Sequence, residues 1–419
     1  WPWPGVGWKG LSLDDEAFLK SFRFFLLEDG PFDMRKAEAC FRKNLGLPLK
    51  PEGFPLPGDL HALDRVLAAD QRLYLAELAL LPALRKHPLR TKDPDEASLF
   101  FIGYAPLLAS RAYPCEGLDA MPAWEQKVAE ALKASEHFKR RGGQDHIHLF
   151  MKYGQNVNPP LKELYEAGPL VATTDRSFWS ISHNLPTPFK KGQVVLLPYV
   201  SSSYVDVDVD PSRRMDPTSW YFFRGTLFRR FGARTELVEL GRQVTGASFE
   251  GHKMPSKGPQ EDVLQNTSRL MRASSVCPCP QGDAPTSGRL FEALATGCLA
   301  IVMSPRDIMT NDLPFPSLID WDAISLFSHS LEFLGTRTRG VARLAKQLER
   351  TVGPQADVHY KRRTGAMRKR ALEAFHRHMS YFRNPEGVVS SMLFEAWILL
   401  QAKGVLEGPY VEALGAEKF

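Results

Sequence analysis

A polar loop in the second half of the chain joins an apolar, β-prone run at 276–279 to a helix predicted from about residue 289. The loop ends in Thr286, Ser287 and Gly288, so these three residues lie at the start of the helix. Free backbone N–H groups and the helix dipole make such a position favourable for an anion, for example a diphosphate. An apolar strand is predicted at 299–303, so the unit is strand, loop, helix, strand. Open parallel sheets place ligands at such loops.

Two charged residues of the predicted helix fit the same kind of ligand. Arg289 adds a planar positive group, and Glu292 lies four residues after Gly288 on the same helical face. A carboxylate there accepts two hydrogen bonds from a ribose diol while the phosphates lie one turn away. The pattern also has a purely structural interpretation, because short polar residues often cap a helix and Gly297 ends it as a C-cap.

A longer run around this loop resembles the exostosin-type family of glycosyltransferases. It reads SSVCPCPQGDAPTSGRLFEALATGC at 274–298 and is followed by Leu-Pro-Phe at 313–315. Four more blocks lie upstream in the order of the family: RTKDPDEA from Arg90, GGQDH from Gly142, KGQVV from Lys191 and FFRG from Phe222. Five blocks in order argue against chance, and together they cover roughly residues 75 to 325.

The resemblance implies an α/β protein with two facing Rossmann-like domains, the GT-B architecture. It implies transfer of a sugar from a nucleotide sugar, a UDP-linked one, to a hydroxyl of a glycan or glycoprotein acceptor, with inversion and without a metal or other cofactor. The second half would hold the donor. We expect the donor-binding residues to be Thr286, Ser287, Gly288, Arg289 and Glu292, together with Arg224 and Gly225 of the FFRG block.

The catalytic base should then come from the first half, across the cleft. Asp145, His146 and His183 are the candidates, and we expect the loop 142–146 to lie at the end of the first domain that lines the cleft. A buried histidine bonded to a carbonyl, beside an aspartate that caps a turn, is an equally good interpretation of residues 145 and 146. His146 and His148 share one strand face, but no further metal ligands lie nearby in the sequence.

Apolar strands alternate with amphipathic helices through the first half, which indicates an α/β layer structure. A stretch rich in Ser, Asp, Pro and Arg at 201–218 has the composition of a linker, and the alternation then restarts. We predict an acceptor-side domain at 1–210 and a nucleotide-sugar-binding domain at 211–419. The predicted strands of the first half are 99–102, 146–151, 170–174 and 194–200, and its predicted helices are 72–84 and 124–138.

Two alternative functions remain open. Asp206, Asp208 and Asp210 alternate with valines, and as a strand they would present three carboxylates on one face, suitable for Mn or Mg in a metal-dependent transferase. The same alternation also describes a charged, solvent-facing edge strand. The other alternative is a relative that binds or scaffolds glycans without transfer.

Composition limits the partners and the compartment. The 419 residues are 43% hydrophobic and 24% charged, with a formal net charge of +5, which is too small to indicate a nucleic-acid partner. Five cysteines cannot all pair, and a Cys40–Cys115 bridge would suit an oxidising lumen. We therefore expect the Golgi or another secretory compartment, with any membrane anchor outside this sequence. The Cys277-Pro278-Cys279 run could bind a metal or act in redox chemistry, although buried strand cysteines are more common.

The region 359–383 is rich in Lys and Arg and has apolar residues at helical spacing. The apolar residues are Met367, Leu372, Phe375, Met379 and Phe382. The pattern is typical of a helix whose apolar stripe packs on its domain and whose basic face is solvated. A membrane or nucleic-acid surface is the alternative.

Overall fold

The fold is described from a computed structural model. It describes residues 11–44, 74–112, 115–151, 159–174, 192–206, 219–226, 232–242, 247–252, 261–281, 286–303, 313–328 and 358–408.

The first half contains a six-stranded, fully parallel sheet in the order β2-β1-β3-β4-β5-β6. Most of its strands are rich in Phe, Leu, Ile and Val, and three of them are buried along their whole length, as expected where helices cover a parallel sheet. They are β1 (Phe24–Leu27), β2 (Arg90–Thr91), β3 (Leu99–Ile102), β4 (His146–Leu149), β5 (Leu170–Thr173) and β6 (Val194–Leu196).

Eight of the described helices belong to the first half, and most of them contribute buried apolar residues to its core. They are α1 (Glu16–Ser21), α2 (Arg35–Asn44), α3 (Tyr74–Lys86), α4 (Pro106–Ala112), α5 (Met121–Ala134), α6 (Glu136–Arg140), α7 (Pro159–Ala167) and α8 (Ser203–Asp206). Short 3-10 turns lie at Gly30–Phe32 and Pro94–Glu96.

The second half contains a five-stranded parallel sheet in the order β11-β10-β9-β7-β8. Its strands are β7 (Ser219–Thr226), β8 (Ala247–His252), β9 (Ser274–Pro280), β10 (Leu299–Met303) and β11 (Ser325–Ser328). The remaining helices are α9 (Gly232–Gly241), α10 (Glu261–Arg272), α11 (Gly288–Ala295), α12 (Trp321–Ile324), α13 (Val358–His378) and α14 (Pro385–Ala402).

The α/β class and the two-sheet GT-B architecture predicted from the sequence are therefore confirmed. The predicted strands at 99–102 and 299–303 have the predicted bounds, and those starting at 146, 170 and 194 are shorter than predicted. The strand β1, which lies inside the first sheet, was not predicted, because four residues of Phe-Phe-Leu-Leu show no period that separates a strand from a helical turn.

The C-terminal helix α14 packs on the first half rather than on the second sheet. Its Phe394 and Trp397 rings lie 5.1 and 5.2 Å from the ring of Phe18, and Tyr381, just before it, donates a 2.8 Å hydrogen bond to the carbonyl of Pro198. The proposed boundary at residue 210 falls between β6 and β7, and the division into 1–210 and 211–419 stays a prediction. None of the described helices is long and apolar enough to cross a membrane.

Candidate functional site

The helix α11 begins at the carboxyl end of β9, as the sequence predicts, and ends in a well-formed cap. Gly297 adopts φ 66°, and the N–H groups of Gly297 and Cys298 bond to the carbonyls of Leu294 and Ala293 at 3.2 and 3.0 Å. This pair of bonds is a Schellman motif, which favours glycine in the left-handed position. The cap fixes the residue at which α11 ends.

A disulfide ties the far end of α11 back to the sheet. Cys298 pairs with Cys277 of β9, with Cα atoms 5.7 Å apart. Cys279 is left as a buried free thiol among the described residues, and burial raises its pKa to about 12. Cys277 therefore belongs to a structural bridge. The expected Cys40–Cys115 bridge is confirmed, whereas the second bridge was missed, because nothing in the sequence showed that residues 277 and 298 lie on adjacent parallel strands.

The N-terminus of α11 lies at a topological switch point of the second sheet. The chain passes from β7 to β8 on one side, and β9, which neighbours β7 on the other side, leads to β10 and β11. Loops that follow β7 and β9 therefore leave in opposite directions, and a crevice opens at the carboxyl ends of these two strands. Tyr221 of β7 is paired with Val276 of β9, so the same register carried forward puts Gly225 level with Pro280, one strand away.

The first turn of α11 is open. Ser287 is the N-cap residue, but in the described structure its side chain makes no capping hydrogen bond to the helix, and a Cβ atom placed on Gly288 would meet none of the described atoms within 4 Å. Thr286 is only 2% exposed, and within the described part of the chain its hydroxyl has no hydrogen-bond partner. A buried polar group without a partner is costly, so an anion bound at this turn would give the Thr286 hydroxyl a hydrogen-bond acceptor.

Arg289 and Glu292 form an ion pair on the first turn of α11. The distance from Arg289 Nη1 to Glu292 Oε2 is 2.6 Å, and the two side chains are 21% and 12% exposed. Arg289 also lies 3.5 Å from the sulfur of Met271. The predicted positions are therefore adjacent, and the guanidinium of Arg289 is held by its pairing with Glu292.

Arg224 lies near the carboxyl end of β7 but is held by other groups. Its Nε donates to Glu250 at 2.8 Å, and its Nη1 donates to the hydroxyl of Thr267 at 3.1 Å. Glu250 is the residue directly opposite Arg224 on β8. Direct contact of Arg224 with a ligand would require these bonds to be exchanged, whereas Gly225, beside it, lies next to the crevice.

The first half contacts α11 through the segment that follows β6. The ring of Tyr199 lies 5.9 Å from that of Phe291 in α11, and α8 packs against both α10 and α11. Ser201, between them, is 2% exposed, and its hydroxyl has no partner among the described residues. The sequence indicated only a linker here, because Ser-Ser-Ser is a signal for loops and not for a buried contact.

Asp145 and His146 lie at the amino edge of the first sheet, opposite the carboxyl ends of its strands. His146 is the first residue of β4, so both residues are at the amino ends of the strands. The expectation that the loop 142–146 lines the cleft is wrong, because this loop enters a parallel strand and does not leave one. The catalytic roles of Asp145 and His146 stay predictions without support from this position, and His183 lies outside the described residues.

The surroundings of Asp145 and His146 fit a structural role. Both are fully buried, and His146 Nδ1 lies 2.8 Å from Asp145 Oδ1. Burial opposes ionisation of Asp145, but His146, Arg140 and Arg141 outweigh it, so the pKa of Asp145 is below its ordinary value. Burial lowers the pKa of His146, whose ring stacks on Phe100 at a centroid distance of 4.8 Å.

His148, two residues along β4, is also committed to the core. Its Nε2 lies 2.7 Å from the carbonyl of Tyr104, and its Nδ1 is bonded to the hydroxyl of Tyr165. Complete burial lowers its pKa to about 4. A metal held jointly by His146 and His148 would have to displace these partners.

The three-aspartate alternative does not match the structure at Asp206. This residue ends the helix α8 and is 1% exposed, so it is not on a solvent-facing strand. Its Oδ1 accepts a short hydrogen bond from Ser380, and burial raises its pKa to about 7. Asp208 and Asp210 lie outside the described residues.

Two parallel sheets, with a helix N-terminus at the switch point of the second, define an open-sheet α/β protein. The model of the Exostosin GT47 domain matches residues 34–334, most of the chain. The chain belongs to this family, as its sequence blocks indicated.

Plant proteins are among its relatives. It is 27% identical to a probable glucuronosyltransferase of Oryza sativa subsp. japonica, over 63% of this chain and 61% of that protein. It is 26% identical to a probable beta-1,4-xylosyltransferase of Arabidopsis thaliana, over 63% of this chain and 64% of that protein. The chain thus spans under two thirds of the length of these relatives.

Similar solved structures are more distant. The Arabidopsis thaliana UGT89C1 complexed with UDP-L-rhamnose is 13% identical, with a TM-score of 0.32, over 83% of this chain and 82% of that one. The pneumococcal O-GlcNAc transferase GtfA in complex with UDP and GlcNAc is 12% identical, with a TM-score of 0.33, over 66% of this chain and 60% of that one. Scores at this level carry no argument about function.

Proposed function

We propose that this protein is a glycosyltransferase that takes a sugar from a UDP sugar and moves it to a hydroxyl of a glycan or glycoprotein acceptor. The observation that carries the proposal is the open first turn of α11 at the switch point of the second sheet, with the Arg289–Glu292 pair on it. Membership of the Exostosin GT47 family and the printed activities of the relatives support the reaction class.

In this proposal the donor diphosphate lies at the N-terminus of α11. The backbone N–H groups of the first turn, the Thr286 hydroxyl and Arg289 stabilise the charge that develops on the leaving diphosphate. Glu292 accepts hydrogen bonds from the ribose diol while it stays paired with Arg289. Gly288 lets the phosphate approach the backbone closely, because no Cβ occupies that space.

The acceptor hydroxyl attacks the anomeric carbon as the bond to the diphosphate breaks, and we propose inversion at that carbon. The hydroxyl loses its proton to a base, and the electron pair of the broken bond leaves with the nucleoside diphosphate. Closure of the two halves expels water and brings the reacting atoms together. Because parallel sheets bind ligands at the carboxyl ends of their strands, we propose that the base lies at that edge of the first sheet, in which case neither Asp145 nor His146 is the base.

We also propose that donor binding needs no divalent cation. A helix N-terminus together with Arg289 provides the positive potential that a metal supplies elsewhere. The two disulfides favour an oxidising compartment, and we propose the secretory pathway, with the Golgi as the site of action.

The experiment is calorimetric titration of UDP and of inorganic pyrophosphate into the unaltered protein and four variants. Glu292→Gln should weaken UDP binding by about 10- to 100-fold, the equivalent of roughly 1.5 to 3 kcal/mol for a charge-assisted hydrogen bond, and leave pyrophosphate binding nearly unchanged. Arg289→Gln should weaken both ligands. Glu239→Gln and Arg242→Gln are the matched controls, because these residues form an exposed pair with the same i,i+3 spacing at the C-terminal end of α9.

Unchanged UDP affinity in both α11 variants would remove the donor site from this helix. The same titration in the presence of EDTA should give the same affinity. Binding that appears only after Mn is added would instead favour a metal-dependent donor site.

A further inference from the structure

The solvent-facing side of α13 carries five cations in one row. Arg362, Arg363, Lys369, Arg370 and Arg377 are all exposed, and their spacing of seven, eight and fifteen residues puts them on one face of the helix. At 1.5 Å per residue the row is roughly 22 Å long. These five residues are called the basic stripe.

The orientation of the stripe is fixed by the opposite side of α13. Met367, Ala371, Phe375 and Met379 are buried there, as the helical spacing in the sequence predicted. Arg368 Nε also donates a 2.6 Å hydrogen bond to the carbonyl of Gly297, the residue that caps α11. The helix cannot rotate without losing these contacts, so the cations stay in solvent on a rigid support.

Few acidic groups offset the stripe. Lys369 lies 3.8 Å from Glu373 and Arg377 lies 3.2 Å from Asp14, and all four of these side chains are more than half exposed. Such pairs are weak and exchange readily with a competing anion. Over the ranges of the chain that the structure covers, no acidic side chain forms an ion pair with Arg362, Arg363 or Arg370.

We propose that the basic stripe binds an extended, carboxylate-bearing polysaccharide. Four of the five cations are arginines, whose planar guanidinium groups bind carboxylates with two parallel hydrogen bonds. A row of cations over four helical turns fits a chain with charges repeated along its length better than a single phosphate. That the polymer is a glycan rests on the proposed glycosyltransferase function, and the stripe would hold its chain away from the donor site.

A membrane surface fits the stripe less well. Helices that lie in a membrane interface combine basic residues with large apolar or aromatic ones that enter the lipid. Between the cations of the stripe the exposed residues are small or charged, namely Gly365, Ala366 and Glu373. Among the described side chains of α13, Val358 at its beginning is the one large apolar group that is exposed.

The test uses an oligogalacturonate, its fully methyl-esterified form and phosphatidylserine vesicles as probes of the full chain. The stripe variant is Arg362→Gln, Arg363→Gln, Lys369→Gln. Its matched control is Arg35→Gln, Arg242→Gln, Lys20→Gln, which removes two arginines and one lysine from exposed positions elsewhere. Affinities are measured by calorimetry at two salt concentrations, together with UDP binding.

The unaltered protein should bind the oligogalacturonate, with affinity that falls as salt rises, and should not bind its methyl ester. The stripe variant should lose about tenfold in affinity, from the modest contribution of each exposed charge pair, whereas the control should lose much less. UDP affinity should be unchanged in both variants. If the unaltered protein does not bind UDP, the proposed function is contradicted, but the proposal that the basic stripe binds a polysaccharide is not.

Three outcomes would overturn the proposal. Equal losses in the stripe variant and the control would show a general effect of net charge. Binding of the methyl ester as strongly as the acid would exclude carboxylate recognition. Binding of vesicles with no binding of the oligogalacturonate would make the stripe a membrane surface instead.

Discussion

Asp206 is expected to make the protein less stable as pH rises towards neutrality. Its carboxyl lies fully buried between α8 and the turn that joins α13 to α14, where Oδ1 accepts from Ser380. Within the described structure Oδ2 has no hydrogen-bond partner. Burial raises the pKa of this group from 3.8 to about 7, and the hydrogen bond from Ser380 opposes the rise only in part.

The sign of the effect follows from proton binding. Between pH 4 and pH 7 the folded protein keeps the proton on Asp206 while the unfolded chain releases it, so stability falls with rising pH over this range. A pKa raised from 3.8 to about 7 corresponds to about 4 kcal/mol at and above pH 7. Asparagine keeps an acceptor for Ser380 and carries no charge. Asp206→Asn should therefore be more stable than the unaltered protein at pH 8, by up to about 4 kcal/mol, and nearly equal to it at pH 4.

The assay is urea unfolding at pH 4, 6 and 8, with both disulfides intact, for the unaltered protein and Asp206→Asn. Glu395 is a second buried carboxyl whose pKa is raised to about 7 by burial, but it is the same in both proteins, so the difference isolates residue 206. A difference in unfolding free energy that does not change from pH 4 to pH 8 would refute the reasoning. A variant that is less stable at pH 8 would refute it as well.

Three glycine substitutions test the site and the first domain. Gly288→Ala should leave the unfolding free energy equal or up to about 1 kcal/mol higher, because alanine is the better helix former. Its UDP affinity should fall, because the new methyl group enters the open space at the helix start. Unchanged UDP affinity would place the phosphate elsewhere. Gly143→Ala should lower the melting temperature by more than Gly142→Ala. Both have positive φ, but only at 143 would a Cβ lie 2.6 Å from the ring of Phe138, whereas 142 faces open space; equal shifts would mean that the ring moves away at little cost.

Local sequence determined the elements around the candidate site. The alternation of an apolar strand, a polar loop and a short amphipathic helix ending at Gly297 predicted β9, α11 and β10 with small errors in bounds. It also put Arg289 and Glu292 on one helical turn, because residues three and four apart share a helical face. The buried stripe of α13 followed from the same period. Each of these features depends on contacts within a few residues of sequence.

Tertiary structure decided everything that depends on which strands are neighbours. The pairing of β7 with β9 creates the switch point at α11, and the pairing of β9 with β10 brings Cys277 to Cys298. The parallel direction of β4 puts Asp145 and His146 at the amino edge of the first sheet. The return of α14 to the first half buries Asp206 beside Ser380. The residues of a strand do not by themselves identify the strand that pairs with it. Backbone hydrogen bonding is the same for every sequence, and the neighbour is selected by the packing of side chains that are distant in the sequence.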